Sequence, residues 1–237
     1  MEIGMLAHGP GDARADVIIL AAAIGADGLG PRQWGCSRPE PGGNARVQAV
    51  TILEAQVRRE AGVISAEAFR THSFSTALAN GMDQDAPQAE RRVLEQITDL
   101  LKDRSGLLVT VGGHELDLPE IRLGCYRHLL PVPHLIGATN RGIDLCEVLS
   151  VPSYEWLWAA LTGRREAALE RAHEHAESKA FVGYLWLLRY MVANRIASQH
   201  EYERSLAHFV SELVQPYWET SLNLQERLGG LFTVKAA

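Results

Sequence analysis

The chain has 237 residues, 46% of them apolar and 22% charged, so it can bury a full hydrophobic core without disulfide or metal staples. Its 23 Lys and Arg against 29 Asp and Glu give a formal net charge of −6, which excludes gripping duplex nucleic acid by bulk positive charge and leaves only a local basic groove for that role. The three cysteines, Cys36, Cys125 and Cys146, stand far apart with no C-x-x-C pair. That argues against a thiolate zinc site or a disulfide framework and fits a reducing, cytoplasmic setting.

Residues 1–15 carry scattered Gly and Pro and read as a flexible start, without the basic-then-apolar pattern of a leader. Residues 17–23 (VIILAAA) form a continuous apolar run, the pattern of a strand buried on both faces. Residues 25–44 are rich in Gly and Pro and read as a loop. Residues 46–57 alternate β-branched and polar side chains as a strand does, and residues 62–69 read as its hairpin partner. In residues 88–102, Val93, Leu94, Ile97, Leu100 and Leu101 recur at helical spacing, which predicts an amphipathic helix. Residues 107–111 (LLVTV) predict a second buried strand, ended by Gly112 and Gly113. A helix is expected over 118–128, with Pro119 in its first turn, where a missing N–H does no harm.

The later half reads as helices over 154–161, 164–198 and 202–213. The longest apolar runs, 17–26 and 181–188, fall short of the roughly 20 residues that cross a bilayer, so no membrane association is expected. Strands early and helices late indicate one α/β domain over residues 16–215 with a tail at 216–237.

The most informative stretch is 107–150, which contains LLVTVGGHELDLPEIRLGCYRH and then RGIDLCEVLS; FVGYLWLLRY follows at 181–190 and HEYERSL at 200–206. In this order the pieces resemble the predicted PolB-like 3′–5′ exonuclease family of the DEDD exonuclease superfamily. Gly113, Asp117, Leu118, Pro119, Arg122 and His128 match a strand–turn–helix piece, Ile143, Asp144 and Leu145 a later segment, and helix 181–190 the last motif helix. The resemblance covers residues 90–210. It implies a ribonuclease-H-like fold: a mixed sheet flanked by helices, with a helical C-terminal part. It also implies two divalent metals about 4 Å apart, Mg²⁺ or Mn²⁺, held by four carboxylates, with a Tyr or His orienting the attacking water.

The chain departs from that pattern. No carboxylate lies among residues 20–23, where the family has Asp-x-Glu, and Gly112 and Leu116 replace the family's Asn and Phe. Anchored on FVGYLWLLRY, the third motif puts His175 at the family's Tyr and Lys179 at its Asp. One acid of four cannot hold two metals. The resemblance therefore implies a degenerate exonuclease-like domain, inactive or weak, with no cofactor expected, acting by binding nucleic acid (single-stranded DNA included) or a protein partner. Lys179 is then a candidate to fill the space of a missing cation.

Two alternatives stand beside this. In the first, the domain is an active 3′–5′ exonuclease on single-stranded DNA with rearranged ligands: Asp117 binds Mg²⁺ or Mn²⁺, Glu177 replaces the last acid, and His175 or His173 positions water. His173 and Glu177 have the His-x-x-x-acid spacing of a variant third motif. In the second, the chain is a structural subunit of a protein complex, suggested by its acidic charge, six Tyr and five Trp.

Simpler roles exist for the same residues. Asp117 either caps the helix that begins there or is a remnant ligand. Asp144 reads as a structural acid bonding nearby backbone. His173 and His175 lie about 200° apart on a helix, so they are poor joint ligands and read as solvated. Trp156, Trp158, Tyr184, Trp186 and Tyr190 could stack on bases but read first as core.

Overall fold

A computed structural model of the chain describes residues 13–26, 45–60, 63–76, 86–112, 117–138, 142–162 and 172–214. The central strand β1 (Ala13–Ala26) has apolar residues of both parities, so both its faces must be covered. They are: Val17, Ile19 and Ala21 belong to one core, and Ile18, Leu20 and Ala22 to another. β2 (Ala45–Glu60) and β3 (Val63–Ser75) form the expected hairpin, with Glu60 opposite Val63. β4 (Leu107–Thr110) and the two-residue β5 (Ile143–Asp144) complete the sheet.

Strand order is β3-β2-β1-β4-β5. The pairs β1–β2 and β2–β3 are antiparallel, while β1–β4 and β4–β5 are parallel. This is the mixed sheet of the ribonuclease-H-like fold, flanked by helices on both faces. Helices α1 (Ala86–Leu101) and α2 (Asp117–Arg127) supply the core of one face through Val93, Leu94, Ile97 and Ile121. After the short α3 (Leu145–Val148) and α4 (Tyr154–Thr162), the long α5 (Ala172–Ala193) covers the other face with Phe181, Leu185 and Leu188. α6 (Gln199–Phe209) ends in a π-helical turn, Val210–Val214. Among the described residues no helix is long and apolar enough to cross a membrane.

Several boundaries differ from expectation. β1 begins at Ala13, inside the segment read as a flexible start, and runs to Ala26, past the expected loop boundary. β3 continues to Ser75. α6 starts at Gln199 rather than near Tyr202, because Ser198 accepts from the Glu201 N–H and Glu201 accepts in return from the Ser198 N–H. The expected helical stretch at 164–171 lies outside the described residues.

Two contacts fix the helices against the sheet. Gly183 lets α5 approach closely, since a Cβ there would lie 2.7 Å from Val111 Cγ2 and 3.2 Å from Ile19 Cγ2. On the other face Glu90 of α1 is only 1% exposed. Its oxygens accept from the Val47 N–H at 3.0 Å, from Arg127 Nη1 at 2.8 and 2.9 Å, and from Arg46 Nη1 at 3.3 Å. His128 Nε2 lies 2.9 Å from Glu90 Oε2, so one carboxylate ties together α1, β2 and the end of α2. Glu90→Gln should lower the free energy of unfolding by about 1–3 kcal/mol, because it weakens the shared acceptor of the partly exposed Arg46 and Arg127 and of His128. Glu95→Gln, which breaks only the exposed pair with Arg91, should change it by less than about 0.5 kcal/mol. Urea unfolding of both variants checks the contrast.

Candidate functional site

The site lies where β1 and β4 part. The two strands pair only over Val17–Ile19 and Leu107–Val109; β1 then runs on beside β2, while β4 stops at Thr110. Here the chain order also reverses, β2 lying on one side of β1 and β4 on the other. In open α/β sheets such a crevice, at the carboxyl ends of parallel strands, is the preferred place for a ligand.

Asp117, the first residue of α2, is 1% exposed and fills this notch. Its Oδ2 accepts from the Ala22 N–H of β1 at 3.0 Å. The same oxygen accepts from Lys179 Nζ of α5 at 2.7 Å, and Lys179 is only 6% exposed. Lys179 stands one turn before Gly183, so the helix face that Gly183 lays on the sheet also carries the ammonium into the notch. Burial pushes the Asp117 carboxyl above its ordinary range; the Lys179 ammonium and the Ala22 N–H oppose that, and Asp144 adds to it.

His175, one turn before Lys179, is buried rather than solvated, which corrects the sequence expectation. Its ring meets Tyr154 edge-on, with centroids 5.4 Å apart. Burial, aided by the Lys179 charge, holds its pKa down at about 3, so the ring is neutral at physiological pH. His173 is partly exposed. Glu177 bonds Ser73 of β3, and burial raises its pKa. Among the described residues no three His, Cys, Asp or Glu side chains converge, so Asp117, His175 and Glu177 do not form one cluster. Three further acids close in sequence to the expected motifs, Asp12, Asp27 and Glu115, lie outside the described residues.

Asp144 does what a structural acid should. It accepts from Thr110 Oγ1 at 3.0 Å, Gly112 N at 2.9 Å and Cys146 N at 2.9 Å, and it caps α3. Asp117 spends its Oδ2 on Ala22 and Lys179. Trp158 and Tyr184 are core, as expected, whereas Trp156 is 64% exposed.

Whether these residues fit Mg²⁺ or Mn²⁺ follows from the donors. A hard dication needs about six oxygen ligands. Asp117 already carries an ammonium, and Asp144 is committed to backbone and hydroxyl donors. The described residues do not fit a two-metal centre.

Three contributions escaped the sequence. The Ala22 N–H leaves no trace in side-chain identity. Tyr154 reaches His175 across the fold. Glu90 did leave a sign, a charge on the apolar stripe of α1 beside Val93, Leu94 and Ile97.

Two expectations concern solution behaviour. Lys179→Met strands a buried carboxylate and should cost about 3–5 kcal/mol, whereas the double variant Asp117→Asn/Lys179→Met should recover most of that loss. A double-mutant cycle by urea unfolding reads the coupling. The second concerns pH. The folded pKa of His175 is depressed, so its contribution is fully present above about pH 6.5 and is lost as pH falls through the window from 6.5 to 3, where the unfolded chain takes up the proton first. The slope from this one group approaches about 1.4 kcal/mol per pH unit. His175→Gln should lose less stability than the parent between pH 7 and pH 4 in the same assay, and an equally steep loss would contradict a buried neutral ring.

No family model matches the chain, and no curated protein does. Among solved structures it is similar to exonuclease I. One structure of that enzyme superposes with a TM-score of 0.40 at 11% identity, over 82% of this chain and 44% of that one. E. coli exonuclease I in complex with a dA16 oligonucleotide gives 0.41 at 12%, over 77% and 42%. A complex of exonuclease I with SSB-Ct gives 0.38 at 11%, over 83% and 44%. The chain spans less than half the length of these exonuclease I chains. With superpositions this loose, the order and sense of the strands remain the ground for the fold assignment.

Proposed function

We propose that this chain is an exonuclease-like domain that works by binding single-stranded nucleic acid, without two-metal nuclease chemistry. The observation that carries the proposal is the Asp117–Lys179 pair, a cation of the chain's own set against the Asp117 carboxylate in the notch. The position at the carboxyl ends of β1 and β4 supports a ligand-facing role for this end of the sheet. Trp156 supports a nucleic-acid ligand in particular. It is exposed on α4. An exposed indole offers a stacking surface worth about 1–3 kcal/mol per base and indifferent to sequence. A net charge of −6 is compatible with binding of this kind because stacking does not depend on bulk positive charge.

A protein partner is the second reading. Leu123 and Tyr126 on α2, and Leu129 just past its end, are 50%, 63% and 92% exposed. They make an apolar row on an acidic protein, and such rows occur at protein interfaces.

One experiment separates the readings. A labelled single strand is incubated with the full chain and Mg²⁺ or Mn²⁺, and binding is followed by fluorescence anisotropy in parallel. The expected outcome is no trimming from the 3′ end, with binding that Trp156→Ala weakens about tenfold, corresponding to roughly 1.4 kcal/mol. Metal-dependent trimming abolished by Asp117→Ala would overturn the proposal in favour of an active enzyme. Absence of any binding would move the case to the protein partner.

A further inference from the structure

We propose that Lys179 is a tethered counter-ion, and that the notch it fills is a site for an organic ammonium, closed to divalent metals. The inference deepens the binding function above and rests on it in one respect, that no metal takes part in the domain's work. Four observations carry it. Both donors that meet Asp117, the Lys179 ammonium and the Ala22 N–H, fall on the same oxygen, Oδ2. An ammonium with three N–H donors can use such a site, whereas Mg²⁺ demands a near-octahedral oxygen shell and sheds its water reluctantly. Asp144, the other acid that Asp117 feels, cannot turn to a metal without uncapping α3 and releasing Gly112 and Thr110. His175 on the preceding turn faces Tyr154 and sits beside the Lys179 charge. Finally, the close approach at Gly183 fixes the α5 backbone one turn from Lys179, so the cation is delivered by packing and not drawn from solution.

The test uses the full-length Lys179→Ala variant, which keeps Asp117 and empties the space. Its thermal midpoint should fall by roughly 6–20 °C. Propylammonium chloride at about ten times its Kd should raise that midpoint by about 3–6 °C. Sodium chloride of equal ionic strength and MnCl₂ should not, and the parent protein should respond to none of them, nor to a chelator. If the variant cannot be purified folded, the same comparison is made on refolding yield from urea. Asp117→Asn/Lys179→Ala serves as the control that propylammonium leaves unmoved.

Recovery by Mn²⁺ exceeding recovery by propylammonium would overturn the proposal and make the notch a metal site. Equal indifference to both would overturn it too, leaving no cation site at all. Because the readout is stability, it fails or succeeds independently of nucleic-acid binding: rescue without DNA binding removes only the proposed function, and DNA binding without rescue removes only the counter-ion.

Discussion

The ion pair between Asp117 and Lys179 joins two helices that lie on opposite faces of the sheet. α2 comes from the side of α1, α5 from the other, and they meet only because β1 and β4 separate after three paired residues. Neither partner could stand there alone. Moving a charged group out of water carries a penalty of several kcal/mol, and an opposite charge in hydrogen-bond contact offsets it. The Ala22 N–H, left without a β4 partner by the split, supplies the second hydrogen bond to the same oxygen. The gap in the sheet, the buried acid and the lysine are thus one arrangement: each satisfies a need that another creates.

Much of this end of the molecule is explained by what the pair excludes. A carboxylate that already has a tight cation has little left to offer a metal, and the neighbouring acid, Asp144, is spent on α3 and the β4 terminus. The neutral His175 adds no charge. What remains for a binding role is surface: the exposed indole of Trp156 on α4 and the apolar row along α2. The frame that presents them is held on one face by the Glu90 cluster and on the other by the close packing of α5 at Gly183.

The sheet was readable because its signals are local and strong. A seven-residue apolar run can only be a strand covered on both sides or part of a helix, and its bounding glycines choose between them. The end of α5 was less readable for a specific reason. It is followed by a left-handed residue that is not glycine, Arg195 with φ 57°, so no breaker marks where it stops. His175 was misjudged because polar neighbours, His173, Glu174 and Glu177, surround it in sequence. On the helix it belongs instead to the stripe of Lys179 and Gly183, which faces inward. Lys179 could be singled out by its distance from FVGYLWLLRY, yet its contact with a residue 62 positions away follows from the fold and from no periodicity. Asp144 needed neither: a lone acid before a short helix already fits a cap.

The most direct measurement is a crystal structure of the full chain grown with millimolar manganese, with diffraction recorded at the manganese absorption edge. The account predicts continuous side-chain density from Lys179 to the Asp117 carboxylate and no anomalous peak within bonding distance of either Asp117 oxygen. A manganese peak on Asp117, with the lysine turned aside, would contradict it.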